Sequence, residues 1–170
     1  MKTIKVILMA LTICTIGLNQ SNGQKLSQNE ALKVLAKWEG NWQSVTTLNE
    51  SVWIPKKMEI KGDAESKLLL QNKFLEIAYK DSKNIIRYEP VSMLFNRWEF
   101  KSDGAANFWT GEWNESQKTM NWKYVDISNF GIVGEVLECF KSVDNIETKA
   151  TIKDHNGNIL LENETISKKK

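Results

Sequence analysis

Residues that carry out chemistry are scarce in this sequence of 170 residues, which has one histidine and two cysteines. His155 stands beside Asn156-Gly157, a dipeptide typical of tight turns, so neither a Ser-His-Asp triad nor a histidine-rich metal site is expected. HExxH, G-x-S-x-G and phosphate-loop motifs are absent as well. The sequence therefore predicts no catalytic set, no metal and no cofactor, although two carboxylates could still meet from any two strands.

Long apolar runs are also lacking, except at the N-terminus. Lys2 and Lys5 accompany the apolar stretch 4–18, and Ser21-Asn22-Gly23 supplies small residues at a cleavage site. This pattern predicts a signal peptide over residues 1–23, because the run is too short and wrongly flanked to span a bilayer. We therefore expect an exported protein, periplasmic or extracellular, without a spanning segment in its mature chain.

A lipid anchor at Cys14 is the alternative to soluble export. Ile13 is branched where a small residue is wanted, and the apolar run continues past Cys14. Both features argue against the anchor. The remaining residues, 24–170, have the length of one domain, and no linker or low-complexity tract divides them.

An excess of charge of one sign is missing from the predicted mature chain. Two of the 23 basic residues, Lys2 and Lys5, lie in the leader, so the other 21 balance the 21 acidic residues. The slightly basic full chain therefore predicts no nucleic-acid partner. Cys139 would be the one cysteine left, so packing alone must hold the fold, and we expect a buried, inert thiol there.

One short helix is predicted at the start of the mature chain. Ser27 and Glu30 form a capping box, and Leu32 and Leu35 begin an apolar stripe that Gly40 can end. After Gly40 the apolar residues recur with a period of two, which is typical of strands. Eleven strands are predicted, over 41–48, 56–62, 64–71, 73–80, 84–88, 93–101, 106–114, 119–126, 133–143, 147–154 and 158–167.

Short strands at hairpin spacing favour an antiparallel meander. Asp103-Gly104 and Asn156-Gly157 are typical of tight hairpins, and the two prolines fall at strand ends or in loops. Closing such a sheet into a barrel removes its exposed edges. We therefore predict an all-β meander barrel with one short N-terminal helix, with a β-sandwich as the competing architecture.

Aromatic residues are the strongest indication of a site, with seven tryptophans in the predicted mature chain. They recur at alternate positions on three strands that should be neighbours, so their aromatic faces could form one patch lining a small-molecule pocket. Alternating aromatics on strands are more often part of a plain core. The candidate ligand-binding residues are Trp98, Phe100, Trp109, Trp113, Trp122 and Tyr124.

Two polar residues within strands could orient a ligand. Arg97 could bind an acidic group, but its position opposite in parity to Trp98 favours an outer-face pair with Glu99 or a cross-strand acid. Glu138 shares parity with Val136 and Phe140 and could point inward, where a raised pKa would indicate function.

Several short motifs resemble those of domain-of-unknown-function family 1579. They are LAKWEGNW at 35–42, NKFLE at 72–76, FKSDG at 100–104, GEW at 111–113 and DHNG at 154–157. The resemblance, covering about residues 30–168, implies a calycin-like barrel related to the lipocalins, in a family whose members are often exported bacterial proteins. It transfers no catalytic residue.

Departures from the family pattern concern two positions. Asn72-Lys73 replaces a Gly-Arg pair before Phe74, which implies a different turn there. Lipocalins also pack a late-strand arginine on the first tryptophan, and here a lysine such as Lys168 would have to serve. A haem-binding relative would need a histidine facing the cavity, which His155 in its turn does not provide.

Three functional hypotheses follow. The first is an exported barrel that binds a small apolar or amphipathic molecule, with Trp42 closing one end. The second is a solidly packed barrel that serves as a structural or interaction module. The third is an envelope enzyme that uses inward carboxylates on a lipid-like or sugar substrate. A hollow barrel would favour the first hypothesis, and the oligomeric state stays open.

Overall fold

The computed structural model of the protein describes residues 25–170. The predicted signal peptide over 1–23, with Cys14, lies outside that range and remains a prediction. No helix within residues 25–170 is long and apolar enough to cross a lipid bilayer.

Ten antiparallel strands form one closed barrel, in which each strand pairs with its neighbours in the sequence and β1 pairs with both β2 and β10. The predicted all-β, calycin-like meander barrel with one short helix is confirmed, and the sandwich is excluded. Helix α1 spans Gln28–Leu35 and runs into a 3-10 turn, Ala36–Trp38. The strands are β1 Gly40–Leu48, β2 Met58–Leu69, β3 Phe74–Tyr79, β4 Ser82–Glu89, β5 Leu94–Lys101, β6 Ala106–Asn114, β7 Thr119–Tyr124, β8 Val133–Ser142, β9 Asn145–Lys153 and β10 Ile159–Lys169.

The structure has one strand fewer than predicted, because 56–62 and 64–71 join into the single strand β2. The prediction ended one strand at Gly62 and began the next at residue 64, with only Asp63 between them. Instead Gly62 stays paired opposite Ser44 of β1, and the ladder continues on both sides. A glycine inside a strand pattern is no turn unless its backbone leaves the extended region.

The helix begins at the predicted capping box. The Glu30 backbone N–H donates to Ser27 Oγ at 3.3 Å, and the Ser27 N–H donates to Glu30 Oε2 at 2.8 Å. Its buried face consists of Ala31, Val34 and Leu35, and Leu32 packs partly buried against the same core. The predicted stripe is therefore confirmed at Leu32 and Leu35, and the buried face also includes Ala31 and Val34. This face packs over one end of the barrel and closes it.

The hydrophobic core fills the helix end of the barrel. Trp42, predicted to close that end, is buried and donates its indole N–H to the Trp38 backbone oxygen at 2.7 Å. Lys169, rather than the expected Lys168, packs its ammonium group 5.1 Å from the centroid of the Trp42 ring. The change follows from register, because Lys169 lies directly opposite Trp42. The fully buried members of the core include Leu35, Leu75, Ile86, Phe95, Met120 and Trp122.

Gly111 is required by the close approach of two strands. A Cβ at this position would lie 2.4 Å from Cε3 of Trp122, whose side chain is fully buried. The ring of Trp122 therefore occupies the space that a side chain on residue 111 would need.

We predict that Gly111→Ala lowers the free energy of unfolding by about 1–3 kcal/mol, since a buried ring must leave its place. Urea unfolding followed by circular dichroism measures the change. Gly62→Ala is the matched control, because its Cβ would meet only the hydroxyl of Ser44, at 3.3 Å. Equal stability of the two variants would contradict the packing argument.

Candidate functional site

The end of the barrel away from the helix is hollow. A cavity of about 470 Å³ opens there and extends toward the helix as a deeper space of about 60 Å³. Both spaces share part of their lining, namely Ser44, Tyr79, Asn84, Arg97, Glu138, Thr148 and Ser167. A hollow barrel is the feature that favours a binder over a solidly packed module.

An ion pair lies where the two spaces meet. Arg97 of β5 and Glu138 of β8 approach to 3.4 Å between Nη1 and Oε1, and both side chains are about nine-tenths buried. Glu138 Oε2 also accepts the indole N–H of Trp38 at 3.1 Å. The guanidinium of Arg97 lies 5.1 Å from the ring centroid of Trp109 and 5.0 Å from that of Trp122. The buried rings of Trp109 and Trp122 thus position Arg97, and Arg97 in turn pairs with the carboxylate of Glu138.

An inward-pointing Glu138 was one of the possibilities that the sequence left open, and the structure confirms it. Burial raises the pKa of its carboxyl, although Arg97 and the indole groups of Trp122 and Trp38 oppose the rise. Arg97 was expected on the outer face, which is wrong. In β5 the inward set is the one that contains Phe95, Arg97 and Glu99, and Trp98 faces outward.

Tyr79 lines both spaces beside the ion pair. Burial raises the pKa of its phenol to about 12, an effect opposed by the positive charge of Arg97. Although 43% of its surface is accessible, that side chain faces the cavity and not the outer surface. Tyr79 therefore presents a neutral hydroxyl to any molecule inside the barrel.

A row of hydroxyls crosses the opposite wall. Thr46, Thr165 and Thr148 lie side by side on β1, β10 and β9, and Thr148 in turn pairs with Glu138 of β8. The two hydroxyls of Thr46 and Thr165 are 2.8 Å apart. Inward threonines leave donors and acceptors along the wall instead of an apolar surface.

Nearer the mouth the wall has both apolar and polar parts. Four apolar side chains there line β8 to β10, namely Val136, Ala150, Ile152 and Leu161. Across the cavity Glu99 accepts a hydrogen bond from the Asn107 side-chain amide at 2.8 Å, and Lys101 lies at the end of β5. The cavity thus combines an apolar strip with polar walls and a charged floor.

Several buried polar atoms of the interior have no hydrogen-bond partner within residues 25–170. They are Ser66 Oγ, Asn84 Oδ1, Arg97 Nε, Trp109 Nε1 and Trp122 Nε1. Trp122 Nε1 faces Glu138 closely enough to lower its pKa without reaching hydrogen-bond geometry. Buried polar groups in proteins are normally paired with other protein groups, with ordered water or with a bound molecule.

The structure divides the six predicted ligand-binding residues among three places. Trp109 lines the main cavity, and Tyr124 packs against it with ring centroids 5.2 Å apart. Trp113 and Trp122 are buried in the core, where Trp122 supports Arg97 from below. Trp98 and Phe100 lie on the outer face of the barrel.

The outward position of Trp98 and Phe100 breaks the predicted continuous aromatic patch. In the ladder between β5 and β6, Trp98 pairs with Phe108, and their ring centroids are 5.2 Å apart. Phe100 is 48% exposed, as expected for an outward residue near a strand end. Register between strands decided this, because the partner of Trp109 is Arg97. Contact of any of the six with a ligand stays a prediction.

Sequence reasoning missed Tyr79, Asn84 and the hydroxyl row. A signal existed, because small hydroxyl residues alternate at 44 and 46 in β1 and at 165 and 167 in β10, where a core face would have aliphatic residues. Cys139 also differs from expectation, since it is half-buried and not buried; burial raises the pKa of its thiol.

Comparisons with known proteins support the fold class. No family model and no curated protein matches the sequence. The S-type phycobiliprotein lyase CPES from Guillardia theta is similar in structure, with a TM-score of 0.50, 11% identity, and 84% of this chain and 95% of that chain covered. The likeness shows a shared fold and nothing of the ligand.

Two further solved structures resemble the chain more distantly. One is EF1p2_mFAP2b bound to DFHBI, with a TM-score of 0.38, 14% identity, and 85% of this chain and 100% of that chain covered. The other is a protein of unknown function from the DUF3598 family of Nostoc punctiforme PCC 73102, with a TM-score of 0.44, 7% identity, and 87% and 51% covered.

We predict that the stability of the protein falls, relative to a Glu138→Gln variant, as the pH rises above about 4.3, where a glutamate titrates in an unfolded chain. In the unfolded chain a glutamate titrates near about 4.3, and in the fold the pKa of Glu138 is raised. Below the unfolded pKa both states hold the proton, so this group costs nothing. Between the unfolded and the folded pKa only the unfolded chain releases the proton, so stability falls with rising pH, and the loss is complete once the pH passes the folded pKa.

Urea unfolding of both proteins across this pH range measures the difference. Other titrating groups contribute equally to both proteins and cancel. Parallel stability curves would show that Glu138 titrates as it does in the unfolded chain.

Proposed function

We propose that the protein binds a small amphipathic molecule in the barrel cavity, with an uncharged polar group of the ligand resting on the floor formed by Arg97 and Glu138. The observation that carries this proposal is the buried ion pair held between two tryptophan rings at the bottom of a cavity of about 470 Å³. That volume lies within the usual range for small-molecule sites, about 300–1,000 Å³.

The ion pair supports binding rather than stability. Burying two charges costs free energy that their attraction rarely recovers in full, and well-packed apolar residues often serve stability better. Arg97 and Glu138 are joined only by a long contact of 3.4 Å, which leaves hydrogen-bonding capacity on both groups. A ligand hydroxyl or amide can use that capacity.

The balance of charge supports an uncharged polar group on the floor. Arg97 and Glu138 neutralise each other, so a charged group on the ligand would leave a net charge in a buried place, which is costly. A purely apolar ligand is disfavoured too, because it would displace water from the threonine hydroxyls without replacing its hydrogen bonds. The apolar strip formed by Val136, Ala150, Ile152 and Leu161 suits the nonpolar part of an amphipathic molecule.

The proposal includes the place where binding occurs. The predicted signal peptide supports action outside the cytoplasm. The proposal also includes membership of domain-of-unknown-function family 1579, supported by the resemblance of the short motifs. Sequencing the N-terminus of the protein purified from its own host tests the export, with cleavage after Gly23 as the expected result.

We predict that Thr148→Trp weakens binding of a neutral solvatochromic probe, 6-propionyl-2-dimethylaminonaphthalene, at least about tenfold, or about 1.4 kcal/mol. The indole would fill the cavity beside Glu138, since Thr148 lines both of its parts. Probe fluorescence at increasing protein concentration gives the affinity.

Thr151→Trp is the matched control, because Thr151 lies between Ala150 and Ile152, which face the cavity, and so points outward. It should leave probe binding unchanged. Equal binding by both variants would place the probe outside the barrel and contradict the proposal.

Native mass spectrometry of the protein purified from its own host, followed by organic extraction, tests the proposal without an added probe. We expect a bound small molecule whose mass is absent from Thr148→Trp protein prepared in the same way. The same mass on both proteins would contradict binding in the cavity.

A further inference from the structure

A second cleft lies at the closed end of the barrel, on the far side of the core from the cavity. It encloses about 370 Å³ between the 3-10 turn, the β8–β9 hairpin and the end of β10. It shares no lining residue with the barrel cavity. Four of its eight lining residues are lysines, namely Lys37, Lys118, Lys141 and Lys169.

Two of the lysines are fixed over buried aromatic rings. Lys37 Nζ lies 5.5 Å from the ring centroid of Trp113, and Lys169 Nζ lies 5.1 Å from that of Trp42. The stem of Lys169 also fills the space beside Gly40, where a Cβ would meet Lys169 Cε at 3.0 Å. Neither ammonium group forms an ion pair within residues 25–170. Both are therefore held over rings outside any ion pair, although the Glu115 carboxylate is near enough to Lys37 for that lysine to help lower its pKa.

The other two lysines have weak, exposed partners. Lys118 pairs with Glu115, and Lys141 Nζ lies 3.2 Å from Glu147 Oε2, with about half of each side chain accessible. Exposed pairs of this kind contribute little free energy, so a stronger anion can compete for the lysine. Asp144, in the turn between β8 and β9, accepts a hydrogen bond from Ser142. None of these three acids lines the cleft.

The rest of the lining is mostly apolar. Phe140 and Ala36 line the cleft beside Val143, which stands at the tip of the β8–β9 hairpin and is 86% exposed. An apolar side chain so exposed gains free energy when a hydrocarbon group covers it. Ammonium groups beside an apolar surface match a ligand that has both an anionic head and a hydrocarbon part.

We propose that this cleft binds the anionic head group of an amphipathic molecule, a phosphate or carboxylate attached to a hydrocarbon chain. The lysines bind the anion, and Phe140 and Val143 contact the first carbons of the chain. The source of that chemistry is either a free amphiphile or a lipid in a bilayer. The site is independent of the barrel cavity, so neither proposal depends on the other.

The test compares n-octyl phosphate with inorganic phosphate, measured by isothermal titration calorimetry. We expect octyl phosphate to bind the native protein at least about tenfold more tightly than phosphate, because only the former covers Val143. The double variant Lys37→Gln/Lys169→Gln should lose at least about tenfold in affinity for octyl phosphate. Glutamine keeps much of the side-chain stem, which preserves packing on the rings.

Two controls and one further test variant make the result specific. Lys123→Gln/Lys153→Gln removes the same charge away from the cleft and should bind normally. Thr148→Trp blocks the barrel cavity and should also bind normally, which separates the two sites. Val143→Asp changes an exposed turn residue and should abolish binding without unfolding. Circular dichroism confirms that each variant is folded.

Vesicles of phosphatidylcholine with phosphatidylglycerol distinguish the two sources. Binding to them that depends on Lys37 and Lys169 would assign the site to a bilayer lipid, and binding of octyl phosphate alone would assign it to a free amphiphile. Equal affinity for inorganic phosphate and octyl phosphate would overturn the proposal. Unchanged binding by the Lys37→Gln/Lys169→Gln variant would overturn it as well.

Discussion

Strand β1 hydrogen-bonds to β2 along one edge and to β10 along the other, and this closure determines the rest of the structure. Once the sheet is closed, every second residue of every strand must face a small interior, and the others must face outward. The interior therefore receives only one of the two alternating sets of side chains on each strand. A residue's parity on its strand decides whether it can contact a ligand inside the barrel.

The two ends of the barrel differ in how their interiors are filled. At the helix end, Ala31, Val34 and Leu35 cover an interior already filled by large apolar side chains, and this end supplies most of the hydrophobic stabilisation. The other end leaves a space of about 470 Å³ with polar walls, which contributes far less. Such a division is typical of binding proteins, since a cavity and its buried polar groups lower stability that the packed part must replace.

Arg97 and Glu138 lie at the boundary between the two halves. Their charges are supported from the packed side by the rings of Trp109 and Trp122 and by the indole N–H of Trp38. From the hollow side they meet only the cavity and the polar groups around it. The packed core thus positions a polar floor, which explains why three tryptophans surround this ion pair.

The sequence by itself determined the fold class, the capped helix and most strand positions, because capping and the period of two are local signals. It also placed Trp109 inside. The predicted inward position of Trp98 and Phe100 is wrong, because the pairing of β5 with β6 places Trp98 opposite Phe108 on the outer face. Register depends on two strands together and cannot be derived from either strand alone.

Only the tertiary structure brought Arg97 to Glu138, 41 residues away, and aligned the threonines of β1, β9 and β10 in one row. It also gathered four lysines from four separate segments around one cleft. Such contacts between distant segments depend on barrel closure, a long-range constraint that cannot be read from any short stretch of sequence.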